Sequence, residues 1–209
     1  MSSALLRRLA WLLPVLVALA PARASALSEE GRPLLRRFSP KEYQSHYQVW
    51  CATQASDGRM WFGSLDGALV YDGHTWTKAP VPTSWVRQLV EGPRGRMFVG
   101  GEDVLGYIEA DGLGGWRYVS LLDRVPADAK PIGLGRRVVR RGDDIFVGGD
   151  RAVYRIRGDD VRAWSFNPAS RNIVDVVGSE LYLLRAKEGI FRLRGEAFEP
   201  WATPPAMMR

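Results

Sequence analysis

Four times along the chain, an aromatic side chain sits three places after a turn residue and two places before a residue that is glycine in all but the last copy. The turn residues are Gly58, Gly95, Asp143 and Ser179, and the aromatics are Trp61, Phe98, Phe146 and Tyr182. Gly63, Gly100 and Gly148 complete the first three copies, and Leu184 stands at that place in the fourth. The four places are 37, 48 and 36 residues apart. A beat of this kind restricts the chain to repeated β-structure, because residues two apart on a strand lie on one face while helical faces recur at three and four.

The clearest copy, Ser56 to Ala79, shows what each unit contains. Asp57-Gly58, Asp66-Gly67 and Asp72-Gly73 separate short aromatic and β-branched runs. Asp-Gly between such runs is a hairpin signal, read here as type I′ turns with two positive-φ positions. The unit is a four-strand meander: one strand before Asp57, then Arg59–Ser64, Ala68–Tyr71 and Thr75–Lys78. Each later copy has a second apolar run, a turn glycine (Gly112, Gly158, Gly195, matching Gly73) and a tryptophan (Trp116, Trp164, Trp201, matching Trp76). Four strands per unit at a period near forty residues predict an all-β partial propeller of about four blades, each of four antiparallel strands. The glycine two places after the aromatic is expected to let neighbouring sheets approach, with the aromatic filling the space between them.

The repeats set the boundaries. Blades are expected over 48–82, 85–122, 136–166 and 172–201, within a repeat region of 48–201. A lead-in segment covers 27–47, in which Leu34–Phe38 can form an extended strand that completes a blade, and 202–209 is a tail. The 48-residue interval comes from an insertion at Asp123–Gly135, rich in Pro, Asp and Ala, read as a loop available to partners.

Residues 1–26 form a signal peptide rather than part of the fold. Arg7 and Arg8 precede an apolar run, Leu9–Ala20, and Ala24-Ser25-Ala26 is a cleavage site of the A-x-A type, with cleavage after Ala26. The run is shorter than the ~20 residues that span a bilayer. These expectations make the protein periplasmic.

Charge and cysteine usage narrow the function. The formal charge is +6, but Arg7, Arg8 and Arg23 lie in the leader with no acid beside them, which leaves 26 basic against 23 acidic side chains. A balance that near to neutral gives no reason to expect nucleic acid as a partner. Cys51 is the single cysteine, so no internal disulfide forms and the core must supply the stability.

No metal-ligand spacing, nucleophile elbow, Walker loop or calcium loop is present, and no catalytic residue, metal or cofactor is assigned. His46 and His74 read as surface residues, and Asp143-Asp144 and Asp159-Asp160 as turn residues. The run R-R-V-V-R-R at 136–141 reads either as a solvated strand end or as a grip on an anion. The tryptophans are mostly core, and only those on loops, such as Trp85, could serve as a carbohydrate platform.

The run D-G-R-M-W-F-G-S-L-D-G-A-L-V-Y-D-G at 57–73 resembles the two-component regulator propeller repeat. G-R-M-F-V-G-G at 95–101 is similar, and L-L-R-R-F-S-P-K-E-Y at 34–43 resembles the start of such sensor regions. The resemblance covers about Leu34 to Trp201 and weakens in the fourth copy. It implies a non-catalytic, exported ligand-sensing module of a bacterial receptor with histidine kinase or diguanylate cyclase output. Family propellers usually have about seven blades, so the resemblance makes this chain an amino-terminal piece of such a receptor, or a free-standing periplasmic protein.

The implied partner is a carbohydrate or other small molecule. Self-association through a bare edge strand is a further expectation, and a membrane would be reached only through a missing C-terminal part. Position alone nominates the ligand residues, on loops that gather at one propeller face: Ser64, Asp66, Trp85, Glu102, Asp103, Asp150, Arg151, Arg171, Asn172 and Lys187. Two other functions stay open, a secreted propeller enzyme acting on polysaccharide and a protein-interaction scaffold that uses Asp123–Gly135.

Overall fold

The computed structural model describes residues 35–166, 171–186 and 188–202. The expected signal peptide and cleavage site lie outside them. The chain divides into two units, Met1–Arg37 and Phe38–Arg209, and the sheets among the described residues lie in the second.

The described strands form four separate sheets of four antiparallel strands, each in simple up-and-down order. Sheet one holds β1 (Val49–Gln54), β2 (Met60–Ser64), β3 (Gly67–Tyr71) and β4 (Trp76–Ala79). Sheet two holds β5 (Val86–Glu91), β6 (Met97–Gly101), β7 (Gly106–Ala110) and β8 (Trp116–Ser120). Sheet three holds β9 (Arg137–Arg141), β10 (Asp144–Gly148), β11 (Ala152–Arg157) and β12 (Asp160–Ser165). Sheet four holds β13 (Asn172–Val177), β14 (Glu180–Arg185), β15 (Gly189–Arg194) and β16 (Ala197–Ala202). The first strands β1, β5, β9 and β13 lie side by side in sequence order, as propeller blades do around an axis.

Period-two alternation sends the two faces of each sheet into different cores. Trp61 and Val70 of sheet one meet Leu89, Met97 and Val99 of sheet two. Phe98 and Tyr107, on the opposite face of sheet two, meet Val138, Ile145 and Val147 of sheet three. Phe146 and Val153 then meet Val174, Leu181 and Leu183 of sheet four. Trp61, Phe98 and Phe146 thus hold equivalent places in successive wedges and are almost fully buried. Burying an aromatic ring of this size stabilises by roughly 2–3 kcal/mol on area alone.

The wedge glycines are required by close approach. A Cβ on Gly63 would lie 2.7 Å from the Val86 carbonyl oxygen, and one on Gly100 2.7 Å from that of Gly135. One on Gly148 would run into the carbonyl oxygen of Asn172. The first strand of the next sheet therefore rests on the glycine backbone.

Three local features differ from expectation. The Asp-Gly turns are not type I′, because only Gly58, Gly67 and Gly73 have positive φ while their aspartates do not. Gly58 N donates to Ala55 O at 2.9 Å, and the Asp57 carboxylate accepts from Arg59 N at 3.0 Å. Aspartate is used here as an acceptor for turn N–H groups rather than for tolerance of the left-handed region.

The described part of the lead-in, from residue 35, is not a strand. Residues 35–39 have no regular structure, and helix α1 (Pro40–Tyr43) follows, opened by a capping box in which Glu42 accepts from Ser39 N. Phe38 and Tyr43 contact Trp76, which also meets Phe62 and Tyr71, so this segment covers the back of sheet one with aromatic rings.

The insertion after β8 is wedge filling. It forms short 3-10 turns at Leu122–Arg124 and Ala127–Ala129 and contains a cis Lys130-Pro131 bond. Val125, Ala129 and Ile132 are buried with sheets two and three, and the Tyr154 hydroxyl donates to Ala129 O at 2.6 Å.

Candidate functional site

In an up-and-down sheet whose strands alternate in direction, the loops after second strands and the connections between sheets collect at one end. Backbone hydrogen bonds knit these loops together. Gly67 N donates to Ser84 O at 2.8 Å, Gly135 N to Gly101 O at 2.8 Å, and Asp150 N to Ile132 O at 3.0 Å. Phe166 N donates to Arg151 O at 2.8 Å. A shallow cavity of about 630 Å³ opens between the β2–β3 turn and the 80–84 connection, lined by Asp66, Lys78, Val81 and Ser84 among others.

Most of the polar residues nominated from sequence serve the loops themselves. Ser64 is fully buried, donating to Gly67 O at 3.0 Å and accepting from Asp66 N at 3.1 Å. Asp66 takes a hydrogen bond from Lys78 Nζ at 2.7 Å, and this holds its carboxyl below the usual carboxylate range. Asp103 and Asp150 clasp one loop from two sides, accepting from Gly133 N at 2.8 Å and Leu134 N at 3.1 Å. Asp150 also pairs with Arg136 at 2.8 Å. Asn172 is buried, with its amide nitrogen on Gly149 O and its oxygen accepting from Arg185 Nε.

Glu102 is exposed, and its backbone bridges Leu134. Arg151 and Arg171 are exposed, and Lys187 lies outside the described residues. Trp85 is 39% exposed. The structure therefore brings Ser64 and Asp66 together at one loop, and Asp103 and Asp150 at another.

The arginines of β9 are also engaged. Arg137 pairs with Asp175 at 2.8 Å, Arg140 donates to the Gly142 and Glu91 carbonyls, and Arg141 lies over the Phe146 ring. Cys51 is half-buried against the first wedge, and burial pushes its thiol up from the usual range, as expected of a packing residue.

Two residues at this end were not nominated from sequence. The β1–β2 register slips between Val49 and Cys51, and the β5–β6 register between Val86 and Gln88. The residues at those slips are Trp50 and Arg87, on neighbouring first strands. The Arg87 guanidinium carbon lies 3.6 Å from the centre of the Trp50 ring and 5.4 Å from that of Trp85. Both residues stand thirteen places before a wedge glycine, Gly63 and Gly100, and that shared offset was the available signal.

The architecture is that of β-propeller blades. The family model described as the two component regulator propeller matches residues 43–66, the stretch from the end of α1 through β1 and β2 into the following turn. The chain thus carries a repeat of that kind in sheet one.

Among solved structures, the chain is similar to one described as the extracellular domain of a hybrid two component system, BT4673, from B. thetaiotaomicron. That likeness has a TM-score of 0.58 at 17% identity and covers 78% of this chain and 22% of the other. A second structure of the BT4673 extracellular domain, described as a one component system, gives 0.57 at 18% identity, covering 75% and 22%. Virginiamycin B lyase from Staphylococcus aureus gives 0.58 at 18% identity, covering 76% of this chain and 56% of the enzyme. At these identities the likeness is one of fold. The chain spans about a fifth of the length of the BT4673 extracellular domain. No curated protein matches the sequence.

Proposed function

We propose that this chain is a non-catalytic, ligand-sensing propeller module of an exported bacterial signal-transduction receptor, whose output is a histidine kinase or a diguanylate cyclase. The observation that carries this reading is the two component regulator propeller match at 43–66, which falls on the strands that bear Trp50 and Trp61. The fold-level likeness to an extracellular receptor domain supports it, as does the leader read in residues 1–26. In this reading the protein is exported, and its ligand is met at the end where the inter-sheet loops gather.

The test is the reading frame around this sequence in its genome, with the cell fraction in which the product is found. A frame that adds further blades, a membrane span and a kinase or cyclase domain, with the propeller exposed outside the cytoplasm, is the expected result. A product of this length that stays in the cytoplasm overturns the proposal.

A further inference from the structure

We propose that Trp50, Arg87 and Trp85 form a binding site for a carboxylated sugar, with the acid on the Arg87 guanidinium and the ring face against an exposed indole. The inference rests on the reading of the chain as a ligand-binding module.

It starts from a cation without an anion. Other arginines with mostly buried side chains have carboxylate partners: Arg96 pairs with Glu109 and Asp159, Arg155 with Glu196, and Arg185 with Glu188. Arg87 is half-buried, yet among the described residues its guanidinium makes no ion pair and no hydrogen bond, and its Nε is buried without an acceptor. The terminal nitrogens of Arg87 also make no hydrogen bond among the described residues, so an incoming carboxylate can accept from both in the two-pronged, charge-assisted geometry that guanidinium favours.

The surroundings make the site selective. Stacking on Trp50 fixes the plane of the guanidinium, so little side-chain freedom is lost when a ligand arrives. Trp50 is 41% exposed and Trp85 39%, which leaves flat aromatic surface beside the charge. That surface is open to solvent rather than enclosed. It suits a ligand with one apolar ring face and hydrated edges, the description of a pyranose, better than an aliphatic or aromatic acid that needs full burial. Both first-strand bulges lie at the loop end, and bulges re-aim side chains near functional sites.

Calorimetry on the full chain with trigalacturonate, a glucuronate-containing disaccharide and maltotriose tests the site. The acidic sugars should bind, more weakly as salt rises, and maltotriose should bind at least tenfold less tightly. Arg87→Ala should weaken binding of the acidic sugars by roughly 10- to 100-fold, as loss of a charged hydrogen bond does. Arg87→Lys should recover only part of that, and Trp85→Ala should weaken binding by roughly tenfold with unfolding temperature unchanged.

Absence of binding by both acidic sugars, equal affinity for maltotriose, or equal affinity in Arg87→Ala each overturns the assignment. If the acids fail while the genomic frame encodes a receptor, this site is wrong and the sensor reading stands. If they bind and the frame encodes a cytoplasmic protein, the reverse holds.

Discussion

The contact between sheets three and four and the far side of sheet four use the same two strand positions in opposite ways. Between the sheets, Phe146 is fully buried and Gly148 lies directly under the Asn172 carbonyl. On the far side of sheet four those positions hold Tyr182, half-buried beside Trp201, and Leu184, which is 39% exposed. The glycine is therefore a property of close approach and not of the strand. Where no first strand is seated on β14 among the described residues, leucine takes its place.

Replacing the two aromatics should separate the two regions most widely. Phe146→Ala empties a fully buried position and should cost about 3–5 kcal/mol. Tyr182→Ala loses a half-exposed ring and one aromatic contact, and should cost about 1 kcal/mol. Chemical denaturation of the two variants reads the difference. Losses within about 1 kcal/mol of each other would break the comparison.

The second position sharpens it. Gly148→Ala puts a methyl group against backbone that cannot move without separating β10 from β13, and about 1–3 kcal/mol of destabilisation is expected. Leu184→Ala on the exposed side should stay within about 1 kcal/mol. Thermal unfolding of the pair is sufficient, and a Gly148→Ala variant as stable as the parent would show that the wedge yields where its backbone contact says it cannot.

The wedges were legible because their determinants are local and periodic: an aromatic, an interval of two, a glycine, and turns marked by Asp-Gly. The tryptophan of each unit was less so. Trp76 and Trp116 come three and four residues after their turn glycines, whereas Trp164 and Trp201 come six after theirs. Trp116 accordingly faces back onto Trp61, while Trp164 faces forward with Phe146.

Of the three residues proposed to hold a ligand, only Trp85 was nominated from the sequence. Ser64, Asp66, Asp103, Asp150 and Asn172 lie in or beside the loops that gather at one end, but those loops contain N–H and carbonyl groups that need partners, and the nearest polar side chains supply them. Nothing in the spacing of Asp103 and Asp150 announces that both bind the 133–134 segment. Trp50 and Arg87 were hidden for the opposite reason. They lie inside strands, and the register slip that turns them toward each other depends on pairing with β2 and β6, a tertiary event.

The smallest expected effect concerns the polar rim of the wedge between sheets two and three, which should contribute little beside its apolar interior. Glu109 on β7 accepts from Arg117 at 2.6 Å and Arg96 at 3.2 Å, and Arg96 reaches across to Asp159 of sheet three at 3.1 Å. The Arg117 hydrogen bond is the main cause that holds the Glu109 carboxyl below its ordinary value, against a smaller opposing effect of burial. A carboxyl with a depressed folded value stabilises the fold above its unfolded value of about 4.3, and the contribution disappears as pH falls through the lower folded value. Arg117 is well exposed, so screening limits the size to less than about 1 kcal/mol. Glu109→Gln should therefore be slightly less stable than the parent at pH 7, with the gap closing below about pH 4. A gap that persists at low pH would assign the loss to packing rather than charge, and a gap as large as that of Phe146→Ala would place the strength of the wedge at its rim.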